Sequence, residues 1–144
     1  MNISSRGRYG LRAMCELAMS AEETKLSLRT IASNQDLPLR YMEHLFAQLK
    51  SAGLVESSRG AQGGYSLARR PEEITVREVV SALEGEPSVL SCAGQSCEDE
   101  CPRMESCLTK PLWEQIDLVA SDLMSRITLA DLLAGNIPNR KENE

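Results

Sequence analysis

"RYMEHLFAQLKSAGLVESSRGAQGGYSL", residues 40–67, decides the fold. In its first half Met42, Leu45, Phe46 and Leu49 fall three or four residues apart, one apolar stripe along a helix. Pro38, just ahead, suits a first helical turn, and Gly53, just behind, is a good stop. In the second half Leu54 and Val55 open a strand, and Tyr65 and Leu67 occupy alternate positions of another. Gly60, Gly63 and Gly64 supply the tip between them, with Arg59 at its base. An amphipathic helix therefore runs straight into a β-hairpin. The glycines do not form a nucleotide site, because no Lys-Ser/Thr pair follows them.

Working outward, "TKLSLRTIASNQDLP" (24–38) lets Ser27 cap a short helix over 28–34, with Ile31 and Ala32 inward. Two short helices joined by a tight turn, the second amphipathic, make a helix-turn-helix, and the hairpin after it makes a winged helix. Its outer face carries Arg40, Tyr41, Glu43, His44 and Lys50. Further back, "GRYGLRAMCELAMS" (7–20) sets Leu11, Met14, Cys15 and Ala18 at helical spacing, with Cys15 read as a small core residue. Beyond the hairpin, Thr75 and Glu78 match a capping box. They open a helix with Val76, Val79, Val80 and Leu83 on its apolar face and Gly85 at its end.

The last third, "PLWEQIDLVASDLMSRITLADLLAG" (111–135), returns to helical spacing. Trp113, Ile116, Val119, Leu123 and Ile127 step by three or four, with acids on the other side. So narrow a stripe on a long helix needs a partner, and a second copy of the chain is the favoured one. Thr128 with Asp131 caps a separate short final helix. The fold class is mainly α with a two-stranded wing: a winged helix-turn-helix plus a long C-terminal dimerisation helix. The expected organisation is a DNA-binding domain over 1–86, a cysteine-rich loop over 87–110, a dimerisation region over 111–137 and a tail over 138–144.

Charge supports the division. Of the 144 residues, 1–75 carry net +2 and 76–144 net −7, so the whole-chain value of −5 hides a mildly basic N-terminal half. Only 3 % of residues are aromatic, so aliphatic side chains must build the core. No signal-peptide pattern or membrane-length apolar run occurs, and the expected location is the cytoplasm, with no membrane partner. The single histidine, His44, has no Ser or Cys partner in sequence, and no hydrolytic constellation marks an enzyme.

Four of the five cysteines, Cys92, Cys97, Cys101 and Cys107, crowd into "SCAGQSCEDECPRMESC" (91–107). An odd count in a reducing compartment disfavours a disulfide scaffold. Gaps of four, three and five residues admit an iron–sulfur cluster, a zinc site or a redox thiol pair. Glu98, Asp99, Glu100 and Glu105 are expected to raise the thiol pKa values and lower a cluster's potential.

"GRYGLRAM", the run from Tyr41 to Tyr65, "TVREVVSALEG" and "CLTKPLW" together resemble the IscR-type iron–sulfur regulators, relatives of NsrR and CymR, over residues 1 to about 134. The resemblance implies a homodimeric winged-helix transcription regulator that binds a double-stranded DNA operator. It implies an iron–sulfur cluster, usually 2Fe–2S with 4Fe–4S as the alternative, held in the loop before the long helix. Cys92 and Cys107 match the family's outer ligands. Cys97 and Cys101 both fall near the middle one, and Cys101 is favoured because it keeps the five-residue gap to Cys107. Cys97 is the alternative middle or fourth ligand. Two departures stand out: Lys110 occupies the place of a ligand histidine, and Arg8 that of an N-terminal acid. On DNA, Arg40 and Glu43 are expected to read bases beside Tyr41 and His44, Arg59 to enter a minor groove, and Arg6, Arg8 and Lys50 to meet phosphates. The alternative is a winged-helix regulator without a cluster, sensing by thiol oxidation, zinc or a partner protein.

Overall fold

Four of the described α-helices begin where a hydroxyl takes up an otherwise unbonded amide. In the computed structural model, which describes residues 3–20, 24–61, 63–85, 103 and 105–138, the Ser4 hydroxyl accepts from the Arg6 amide and opens α1 (Ser5–Met19). Ser27 accepts from the Thr30 amide and opens α2 (Leu28–Asn34). Thr75 and Thr128 each exchange hydrogen bonds with an acid three residues on, Glu78 and Asp131. These boxes open α4 (Val76–Glu84) and α6 (Leu129–Ala134). Each such cap is worth about 1 kcal/mol. Pro38 does not lie inside the first turn of α3 (Leu39–Ser51), as the sequence predicts, but one residue before it. Its extended ψ of 137° turns the chain, and its carbonyl accepts from the Met42 amide at 3.2 Å. Gly53, with φ 74°, ends α3 as expected.

The hairpin follows at once. Strands β1 (Val55–Ser58) and β2 (Gly64–Leu67) are antiparallel, with Val55 opposite Leu67 and Ser58 opposite Gly64. The segment before α2 lies against β2, because Leu26 and Tyr65 exchange amide–carbonyl bonds of 3.0 and 2.7 Å. That approach needs glycine next door: a Cβ at Gly64 would come 2.6 Å from the Leu26 carbonyl oxygen.

The core gathers Met14, Ile31, Met42, Phe46, Val79 and Leu129, all fully buried. Phe46 meets the Tyr65 ring edge-on, centroids 4.9 Å apart. Every residue of the α3 stripe and of the α4 face is buried as its spacing predicts. The α1 face differs. Gly7, Gly10, Ala13, Met14 and Leu17 turn inward, while Leu11, Cys15 and Ala18 sit half-buried at the rim. The cause is the closeness of α4: a Cβ on Gly10 would overlap the Leu83 side chain. An apolar stripe cannot register a contact made by a missing side chain.

The last long helix, α5 (Lys110–Arg126), joins this body only at its end. Met124 and Ile127 pack on Val76 and Val80. The Val76 amide bonds the Ile127 carbonyl at 2.8 Å, and the Leu129 amide bonds the Ile74 carbonyl at 3.0 Å. The single row read from sequence therefore divides. Ile127 is buried against the body and Trp113 is half-buried, whereas Ile116, Val119 and Leu123 join Leu112 in a second row open to solvent. No described helix is long and apolar enough to cross a membrane.

Candidate nucleic-acid interface

Burial of Met42, Leu45, Phe46 and Leu49 leaves α3 one free side. Arg40, Glu43 and His44 are exposed there. Tyr41 is not part of that face. It is half-buried, with its ring against Tyr9 at 6.3 Å and its hydroxyl buried. The quarter-turn between Tyr41 and Arg40 carries it toward α1, where an aromatic side chain finds apolar surface. Lys50, at the far end of α3, donates to the Ser57 hydroxyl at 2.7 Å and so ties the helix to the wing. Arg59 is exposed beyond β1. Arg6 reaches the same helix by donating to Gln48 at 2.5 Å. Arg8 is on the other side of α1, where it borders a depression with Arg12, Cys15, Met19 and Leu132.

The cysteine loop enters the described residues at its end. Cys92, Cys97 and Cys101 lie outside them, and Cys107 is half-exposed three residues before α5. Its thiol pKa is lowered, first by the Thr109 hydroxyl 3.3 Å away, then by the amides of Thr109 and Lys110. The direction is opposite to the one expected from the acid-rich sequence. These hydrogen bonds and the Lys110 charge stabilise the thiolate and outweigh the small cost of desolvation. Lys110, in the place of the family's histidine, pairs with Glu114 at 3.5 Å. Among the described residues no three His, Cys, Asp or Glu side chains converge to hold a metal ion.

A helix-turn-helix with an exposed basic-and-polar face and a flanking wing is the architecture of a DNA reader. The sequence profile of Rrf2, described as an iron-dependent transcriptional regulator, matches residues 3–135. The chain belongs to the Rrf2 family. Among its Rrf2 relatives is the HTH-type transcriptional regulator IscR of Aliivibrio salmonicida, 37 % identical over 136 residues, which are 94 % of this chain and 79 % of that one. IscR of T. potens superposes with a TM-score of 0.75 at 35 % identity, covering all of this chain and 97 % of its own. CymR, the global cysteine regulator of B. subtilis, superposes at 0.74 with 38 % identity, over 93 % of this chain and 97 % of its own. The chain is thus a DNA-binding transcriptional regulator of the Rrf2 and IscR kind.

The Rrf2 scaffold brings Arg40, Glu43, His44, Lys50 and Arg59 to the α3 and wing side, with Arg6 linked to it through Gln48. One cation on this side, Lys25, escaped the sequence reading. It precedes α2 in a stretch with no helical or strand period, and only the pairing of Leu26 with Tyr65 carries it to the wing.

Proposed function

We propose that this regulator binds operator DNA as a homodimer and reads the state of an iron–sulfur cluster held by its cysteine loop. The observation that carries the cluster reading is Cys107. Hydrogen bonds bias its thiol toward thiolate, the form that ligates iron, where the loop meets α5. Cys92, Cys101 and Cys107 are the proposed ligands, with Cys97 the alternative middle or fourth one. A 2Fe–2S form is favoured over 4Fe–4S. When bound, the cluster supplies a redox couple and a centre that oxidants or nitric oxide can damage.

The chain's own residues do the rest. Arg40 donates to guanine and Glu43 accepts from cytosine in a major groove, with His44 beside them. Arg59 enters the adjoining minor groove, and Lys50 and Arg6 contact phosphates. Tyr41 supports α3 from behind. The outward row Leu112, Ile116, Val119 and Leu123 supports pairing of α5 with a second copy, so that two α3 helices meet successive half-sites. The loop joins α4, whose Leu83 is in the DNA-binding core, to that paired helix. A change in the loop then alters how well two readers fit a given half-site spacing.

Anaerobic purification with visible absorption, iron and sulfide analysis tests this. A coloured protein with sulfide, bleached in C107A, is the expected result, together with different operator affinities of apo and reconstituted protein at matched salt. Colourless protein with stoichiometric zinc overturns the cluster. The likeness to CymR supports the second reading, sensing by thiols or a partner protein without a cluster. It predicts a colourless, metal-free protein whose DNA affinity still changes with thiol oxidation.

A further inference from the structure

Between the entry to α2 and the wing lies a depression of about 760 Å³ that the α3 face does not use. Lys25, Ser27 and Thr30 line one wall, and Ser58, Arg59 and Gly63 the other. Its lining is two cations, hydroxyls and main chain, with no acid among the described residues. The backbone sets this arrangement. Leu26 pairs with Tyr65 across the wing, which places the neighbouring Lys25 Nζ within 2.7 Å of the Ser58 hydroxyl. A Cβ at Gly63 would collide with the Ser58 carbonyl, so glycine there lets the tip fold over the notch.

The chemistry of the walls defines what fits. Lys25 spends one donor on a neutral hydroxyl, which among the described residues leaves its charge without a paired carboxylate and two N–H groups without a partner. No carboxylate pairs with Lys25 or Arg59 among the described residues. Ser27 and Thr30 share one hydrogen bond of 2.8 Å, so one of their two hydroxyl hydrogens remains available to an acceptor. Lys50 makes the matching contact to Ser57 on the opposite face of β1. The first strand of the wing is therefore flanked by an ammonium group on each side. Two cations and a spare hydroxyl donor suit a singly charged group with several acceptor oxygens. A DNA strand laid along the wing supplies one in its backbone.

We propose that this notch seats one phosphate of the DNA backbone, held by Lys25 and the Ser27–Thr30 hydroxyls, while Arg59 at its rim continues into the minor groove. The proposal rests on the DNA-binding reading and adds Lys25 to its contact set. The lysine sets position along the duplex and carries no base preference.

The test uses the full chain and its K25M and S58A variants. Anisotropy titrations over a salt series would employ a duplex selected in vitro by the wild type and a scrambled duplex of equal length. K25M is expected to weaken binding to both by the same factor, roughly three- to tenfold, and to reduce the log–log salt slope by about 0.9, the loss of one phosphate contact. S58A is expected to keep the wild-type slope, because it keeps both cations. An unchanged slope in K25M overturns the proposal, as does a loss confined to the selected duplex. Equal losses in S58A and K25M also overturn it, by reducing Lys25 to a brace for the wing. Wild-type protein that binds neither duplex sinks the DNA-binding reading itself, a result separable from any difference between variants.

Discussion

The winged helix and α5 are built on the same device, an apolar row at helical spacing, and they end differently. In α3 and α4 every member of the row is buried by this chain. In α5 only the final turn is, through Met124 and Ile127, while Leu112 and Val119 stay more than half exposed. The difference lies in what each row meets. α3 and α4 face each other and α1, and α3 also meets the wing, whereas among the described residues α5 packs on the body through Met124 and Ile127 at its end. A row that the chain leaves open asks for an outside surface to close it.

Substitutions can break or sharpen that contrast. The largest effect is expected inside the winged helix. Phe46→Ala removes a fully buried ring that also packs on Tyr65, and should cost about 3–5 kcal/mol in urea unfolding. A loss as small as that of a surface substitution would deny this region its closed core. Next comes the α1–α4 contact. Gly10→Ala forces a methyl into Leu83 and is expected to destabilise by about 1–3 kcal/mol, read from the same transition. An unchanged or raised midpoint would mean that the two helices separate at little cost.

A smaller effect is expected at the cap of α4. Thr75→Ala should cost about 1 kcal/mol. Its partner Glu78 adds a pH signature. Partial burial raises the Glu78 pKa, but the Thr75 amide and hydroxyl and the Arg69 guanidinium 2.6 Å away more than offset this, and the net shift is downward. A carboxylate with a depressed folded pKa contributes fully above the ordinary glutamate range, and that contribution is lost as pH falls through the folded value. The stability gap between wild type and Glu78→Gln should therefore narrow as the solution is acidified. A gap that stays constant down to acid unfolding would remove the charge from the explanation.

The smallest effect on the chain's own fold is expected in α5. Val119→Lys touches nothing in the described body and should alter its unfolding by no more than about 0.5 kcal/mol at low protein concentration. Its consequence is expected in mass: sedimentation equilibrium should show a dimer for the wild type and a monomer for the variant. A variant that keeps the wild-type mass would show that the outward row is not the pairing surface.

These contrasts also mark what could be read from the residues. The caps Ser27, Thr75 and Thr128, the stop at Gly53 and the rows of α3 and α4 were legible, because each depends on groups at most a few positions apart. The inward face of α1 was not, since glycine contributes to packing only through what comes close to it. Tyr41 was read outward because a stripe gives its centre clearly and its edges poorly, and Tyr9 draws that edge inward. Lys25 left no periodic signal at all. The cysteine spacing left a cluster, a zinc site and a thiol pair open, and the downward shift of the Cys107 thiol was not legible in it, because that shift comes from Thr109 and the amides beside it.

The residues by themselves determined the order of helices and hairpin, the charge division between the halves, and the gathering of four thiols ahead of a long helix. Local hydrogen bonding and hydrophobic spacing suffice for these, because both act along the chain. Only the tertiary structure decided which α1 residues face α4, which half of the α5 row stays open, and which lysines flank the wing. Those depend on distances between elements far apart in sequence: the approach of Gly10 to Leu83 for α1, the pairing of Thr75 with Thr128 for the end of α5, and that of Leu26 with Tyr65 for Lys25.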